Sequence, residues 1–126
     1  MRDQPHALQR NAADPRQGKF AARAERRREE RRANMYRAVL HTAEGRMMLA
    51  DLVVRSGAFK SPWNPHGGVQ SANIGRMEIG LELDEYLRLI EPTLRRQMWA
   101  EWDALLERDN RETDAAHMAA VSTEGA

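Results

Sequence analysis

The chain has no cysteine among its 126 residues. That excludes disulfides and any zinc site built on thiolates, and it fits a reducing compartment or an assembly that needs no covalent staples. No apolar run approaches the ~20 residues a helix needs to span a bilayer, so no membrane partner is expected. The opening MRDQPHALQRNAADPR lacks the apolar segment of a secretory signal, which predicts a soluble, non-secreted protein. Aromatic residues are few, and none stands in the arginine-rich run, where base stacking would require one. No strand signal and no internal repeat stand out.

Catalytic patterns are missing too. His6, His41, His66 and His117 never fall three or four apart, and no HExxH motif occurs, so no metal is expected. Ser56, Ser61 and Ser71 lack a nucleophile-elbow context. Gly67-Gly68 is not followed by the Lys-Ser/Thr of a phosphate loop. Glu78 and Glu82 are four apart on a helix, a spacing commoner on solvated faces than in glycosidase sites. The expectation is a non-enzyme with no catalytic residue and no cofactor.

Charge is what the chain has in quantity. The net value of +1 conceals a polarity. Residues 1–33 carry ten Lys/Arg against five Asp/Glu, and residues 34–126 carry ten against fourteen. A basic arm on an acidic body suits nucleic acid, an acidic partner, or the acidic face of another copy.

Organisation follows from the breaker residues. Residues 1–18, with Pro5, Pro15 and Gly18, read as a flexible basic arm. From Lys19 there is no Gly or Pro for 23 residues, which predicts a long charged helix over about 19–41. Arg26 with Glu30, Glu25 with Arg28, and Glu29 with Arg32 have side-by-side helical spacing. The helix is polar all round until about Asn34; then Met35 with Val39 and Tyr36 with Leu40 form an apolar stripe. Thr42 is placed to cap a second helix over about 43–56, with Glu44 in its first turn and Gly45 allowing close approach of the two helices. Met48, Leu49, Leu52, Val53 and Ser56 mark its face, and Gly57 its end.

Residues 58–71 read as an ordered loop, since Phe59, Trp63 and Val69 give it something to bury. Ser71 is placed to cap a third helix over about 72–90, with Ile79, Leu83, Tyr86, Leu87 and Ile90 inward and Glu82, Asp84 and Glu85 outward. Gly75 and Gly80 inside it suggest close backbone contacts. Pro92 opens a fourth helix over about 92–108, with the stripe Leu94, Met98, Trp102 and Leu105. Residues 110–126 read as an acidic, Ala-rich tail that frays or forms a short helix on a partner. The predicted fold is all-α: a small bundle of about four helices, residues 19–109, with a long charged N-terminal helix and flexible termini. Tyr36, Leu40, Leu49, Leu52, Ile79 and Leu83 are the expected core.

Two groups of candidate contact residues emerge. Arg23, Arg27, Arg28, Arg31 and Arg32 can lie along phosphates or an acidic partner, but the interleaved Glu25, Glu29 and Glu30 favour a solvated ion-pair helix. Phe59, Trp63 and His66 shape the loop, and tryptophan is enriched at interfaces.

The segments Tyr36-Arg37-x-x-Leu40-x-Thr42-x-x-Gly45-Arg46-x-x-Leu49-x-Asp51-Leu52, Gly57-x-Phe59, Ser61-Pro62 with His66, and Gly75-Arg76-x-x-Ile79-Gly80 resemble a family of small proteins. That family is encoded in the head and DNA-packaging gene clusters of short-tailed, podovirus-like phages. The resemblance covers about residues 36–82. It implies a virion structural or head-to-tail, portal-associated protein that docks in multiple copies onto portal, capsid or tail components. It further implies location in the virion, or in the host cytoplasm during assembly; a homo-oligomeric arrangement is expected from the glycine-bearing helices and the surplus of apolar faces. The alternative is a DNA-binding accessory of genome packaging or ejection, making non-specific DNA contacts.

Overall fold

The computed structural model describes residues 14–125. These form four helices and, among the described residues, no strand: α1 (Pro15–Leu40), α2 (Ala43–Arg55), α3 (Gly67–Ile90) and α4 (Pro92–Glu124). The all-α reading of the sequence holds. The chain divides into two compact units, with the boundary between Met35 and Tyr36.

The first unit consists, where described, of the charged stretch of α1. Its start is set by Asp14-Pro15. The Asp14 carboxylate accepts from the Arg16 backbone N–H at 2.9 Å, and proline occupies the first helical position, where its missing N–H costs nothing. The predicted arm therefore ends sooner than expected: residues 15–18 are helical, Gly18 included, and residues 1–13 lie outside the described residues. Of the three predicted ion pairs only Arg28–Glu25 closes, at 2.7 Å and well exposed.

The second unit holds the core. Leu40, Leu49, Ala50, Leu87 and Met98 are buried together, with Tyr36, Val39, Leu83, Ile90, Leu94, Trp99 and Trp102 packed around them. Each buried Leu or Met side chain contributes about 1.5–3 kcal/mol. Tyr36 meets Tyr86 edge to face, with centroids 5.3 Å apart. The joint after α1 is as predicted: Thr42 caps α2, its hydroxyl accepting from the Gly45 N–H at 2.9 Å. A Cβ at Gly45 would overlap the Val39 carbonyl oxygen, which is the close approach expected there. Gly57 ends the turn after α2 with φ of +79°.

The predicted faces were rotated in two helices. On α2 the buried positions are Arg46, Leu49, Ala50 and Val53, whereas Met48 and Leu52 are exposed. On α3 they are Gly80, Asp84 and Leu87; Ile79 is exposed and Asp84, assigned to the outer face, is 7% exposed. The cause is the same in both. A charged residue with a bound partner occupies an inward position, and hydrophobicity alone reads that position as outward.

Two boundaries also shift. α3 begins at Gly67, not at about 72 behind a Ser71 cap, and its N-cap His66 makes no side-chain capping bond. α4 does not stop near Arg108 but runs to Glu124, so the predicted tail is helical, and every residue from Leu106 to Gly125 is exposed. No Gly or Pro interrupts residues 93–124, and good helix formers dominate, so local propensity carries the helix past the core.

Candidate functional site

The scaffold of the site is two partly buried ion pairs. Arg46, 8% exposed, forks onto Glu101 with two bonds of 2.9 Å and sends its third arm to the Leu40 carbonyl oxygen at 2.9 Å. One guanidinium thus ties α2 to α4 and satisfies the C-terminal end of α1, where carbonyls lack helical partners. Asp84 accepts from Arg95 through both oxygens, at 3.0 and 2.6 Å, and from the Trp99 indole N–H at 2.8 Å. Among the described residues no buried side-chain polar atom lacks a partner. Arg37 in the last turn of α1 donates to the Ile90 carbonyl at 3.2 Å, capping the end of α3.

These pairs set the charge states. Burial pushes the Asp84 carboxyl up, but hydrogen bonds from Arg95 and Trp99 and the Arg95 charge outweigh it, so its pKa lies below the usual aspartate value. The hydrogen bond from Arg46 holds Glu101 below the usual glutamate range. Both carboxylates are ionised at neutral pH. Each accepts three hydrogen bonds, Asp84 from Arg95 and Trp99 and Glu101 from Arg46 and Gln97, and these favour the charged form.

The loop from Gly57 to His66 stands on this scaffold. Phe59 packs edge to face on Trp99, centroids 5.3 Å apart, and Trp99 is the residue held by Asp84. The expectation that the aromatics bury the loop fails: Phe59 is 61% exposed, Trp63 71%, and Val69 is exposed as well. Polar bonds hold it instead. The Lys60 N–H donates to the Gly57 carbonyl at 3.0 Å, His66 N–H to the Asn64 side chain at 2.9 Å, and the Asn73 amide to the Pro62 carbonyl at 3.4 Å. Order without burial leaves the Trp63 ring presented to solvent.

Beside the loop lies a cavity of about 240 Å³, lined by Arg55, Ser56, Gly57, Lys60, Ser61, Pro62, Asn73 and Arg76. Three cations converge there with two hydroxyls, and carboxylates are absent from the lining. Asn73 steadies Arg76 by accepting from it at 2.5 Å, and Asp51 lies 3.8 Å from Arg55. The arrangement can hold one anionic group, such as a partner's carboxylate. His66 is exposed and does not line this cavity, so the structure does not bring it to the cations.

The arginine candidates separate by face. Arg23, Arg27 and Arg31, spaced by four, share one exposed side of α1; Arg28 is committed to Glu25; Arg32 is exposed on a neighbouring side. Sequence reading missed Arg55, Lys60, Arg76, Arg46 and Asp84. For Arg46 and Asp84 a signal existed, since each sits at helical spacing from core residues (46, 49, 50, 53 and 80, 84, 87). For the three cavity cations none did, because they converge only through the loop's fold. Among the described residues no group of three or more His, Cys, Asp or Glu could hold a metal ion, and no helix is long and apolar enough to cross a membrane. No known protein family, curated protein or solved structure matches the chain.

Proposed function

We propose that this chain is a docking protein of a phage particle, a small helical module that seats in multiple copies on portal, capsid or tail proteins. The observation that carries the docking reading is the ordered loop with Trp63 71% exposed beside the cleft of Arg55, Lys60 and Arg76. An exposed tryptophan on a hydrogen-bonded loop, next to concentrated positive charge, is the chemistry of an interface anchor for an apolar pocket flanked by acidic groups. The resemblance of residues 36–82 to small proteins of phage head and packaging clusters supplies the biological setting. On this reading the chain performs no catalytic step. It works in the virion and, before that, in the host cytoplasm.

The test is mass spectrometry of purified, DNA-filled particles with copy number per particle. Stoichiometric presence at a multiple of the portal or tail symmetry is the expected result. Absence from mature particles would remove the structural role.

A further inference from the structure

α1 and α4 each carry an exposed stripe that nothing in the chain's core uses. On α1 it runs Arg16, Phe20, Arg23, Arg27, Arg31, Met35, with steps of four and three that keep to one helical side. All six residues are exposed, four are arginine, and no acid interrupts them. On α4 it runs Asp103, Glu107, Asn110, Asp114, Met118, Val121, again all exposed, with three acids and no base. This side of α4 points away from buried Met98. Both stripes follow the alternation of threes and fours by which paired helices meet. Each spans about 27–29 Å at ~1.5 Å per residue.

We infer that the α1 stripe of one copy packs antiparallel against the α4 stripe of a second copy. Aligning Phe20 with Met118 puts Arg23 opposite Asp114, Arg27 opposite Asn110 and Arg31 opposite Glu107. Arg16 then falls at Val121, and Met35 at Asp103. The ends agree, since fifteen residues separate Phe20 from Met35 and fifteen separate Met118 from Asp103, and the steps between differ by no more than one residue. A parallel arrangement would also form two ion pairs, Arg16 with Asp103 and Arg27 with Asp114, and would pair Met35 with Val121. But it sets Phe20 against Glu107 and Met118 against Arg31, so the two most exposed apolar side chains of the stripes meet only in the antiparallel one. The apolar residues argue for a packed contact over a purely solvated face, since Phe20 and Met118 are each 65% exposed. Opposite charge along the stripes selects the partner, and the Phe20–Met118 contact sets the direction. The contact is reversible and salt-sensitive, because its ion pairs are solvated. It deepens the multiple-copy docking reading and rests on it for its biological setting.

The test is sedimentation velocity of the full chain over a concentration series in low salt. Two variants accompany it: Arg23→Glu with Arg27→Glu and Arg31→Glu, and Glu107→Arg with Asp114→Arg. All five positions are exposed and stay good helix formers, and circular dichroism checks that each variant folds. The wild type is expected to self-associate, and either variant alone, or half-molar salt, to raise the dissociation constant about tenfold or more. An equimolar mixture of the two variants is expected to regain association. A monomeric wild type, variants that associate unchanged, or a mixture that stays monomeric would overturn the pairing. So would an α1 stripe whose reversal affects only binding to duplex DNA. A monomer that is still stoichiometric in particles would remove the self-pairing and leave the docking reading standing; a self-associating chain absent from particles would do the reverse.

Discussion

The Trp99 indole N–H donates to Asp84 at 2.8 Å, and through that bond a carboxylate 7% exposed holds the ring on which Phe59 rests. Asp84 therefore serves two ends: it balances Arg95 inside the bundle and it fixes the floor of the exposed loop. Asp84→Asn keeps the shape but leaves Arg95 without its counter-charge. The expected cost is about 2–3 kcal/mol, below the roughly 3–5 kcal/mol for breaking a fully buried pair, because Arg95 is partly exposed. Urea denaturation followed by tryptophan fluorescence measures it.

Acid should weaken the fold through the same group. The folded-state pKa values of Asp84 and Glu101 lie below their ordinary values. Their stabilisation is present in full above the unfolded values of about 4 and is lost as pH falls through the folded ones. Stability is expected to be flat from neutral pH to about 5 and to drop below about 4. The gap between wild type and Asp84→Asn should narrow in that acid range. Thermal melts from pH 7 to pH 2.5 would reveal a gap of constant width if the assignment were wrong.

Two glycines of α3 predict opposite outcomes. A Cβ at Gly80 would overlap the Ser56 hydroxyl and come within 2.7 Å of its Cβ; one at Gly75 meets nothing within 4 Å. Gly80→Ala is expected to lose about 1–3 kcal/mol by overpacking. Gly75→Ala is expected to gain up to about 1 kcal/mol from helix propensity. Ser56→Gly should recover part of the Gly80→Ala loss, which a double-mutant cycle in melting temperature would register.

Trp63→Ala separates stability from docking. The ring is 71% exposed, so the change should alter unfolding free energy by no more than about 0.5 kcal/mol. Incorporation into particles should fall sharply. Normal incorporation would mean that the loop is not the anchor.

Truncation after Arg108 should leave the melting of the core within about 1 °C, since every residue beyond it is exposed. Far-ultraviolet circular dichroism should lose the matching helix signal. A large fall in melting temperature would show that the segment folds back onto the body.

Helix number and the Thr42 cap were legible because periodicity, Pro92 and Gly57 are local signals. Leu40, Leu49 and Met98 were legible as core for the same reason. The rotation of α2 and α3 showed only in the spacing of 46, 49, 50, 53 and of 80, 84, 87, and hydrophobicity hid it, because Arg46 and Asp84 are charged and their partners, Glu101 and Arg95, lie elsewhere in the chain. Ile79 and Leu52 look like core residues by hydrophobicity, yet the helices turn them outward to let those ion pairs in. At the candidate site Phe59 and Trp63 were found by residue type, as contact residues of the loop; the separate expectation that their burial orders the loop was wrong, since both are exposed. Arg55, Lys60 and Arg76 come together only once Gly57 has turned the chain. α4 outran its predicted end because the sequence shows where apolar faces stop more clearly than where a helix stops.

The stretch of α4 beyond Arg108 makes no contribution to the interior. Its residues answer only to helix propensity and to whatever surface they meet. Substitutions there escape the interior adjustments that Asp84 or Arg46 would demand, and only those on the side that meets another surface, such as Asp114 and Met118, have to be matched by a change in what they touch. Across related chains this segment is expected to diverge quickly in sequence while keeping its helical length, with the slow-changing positions marking the side that is touched.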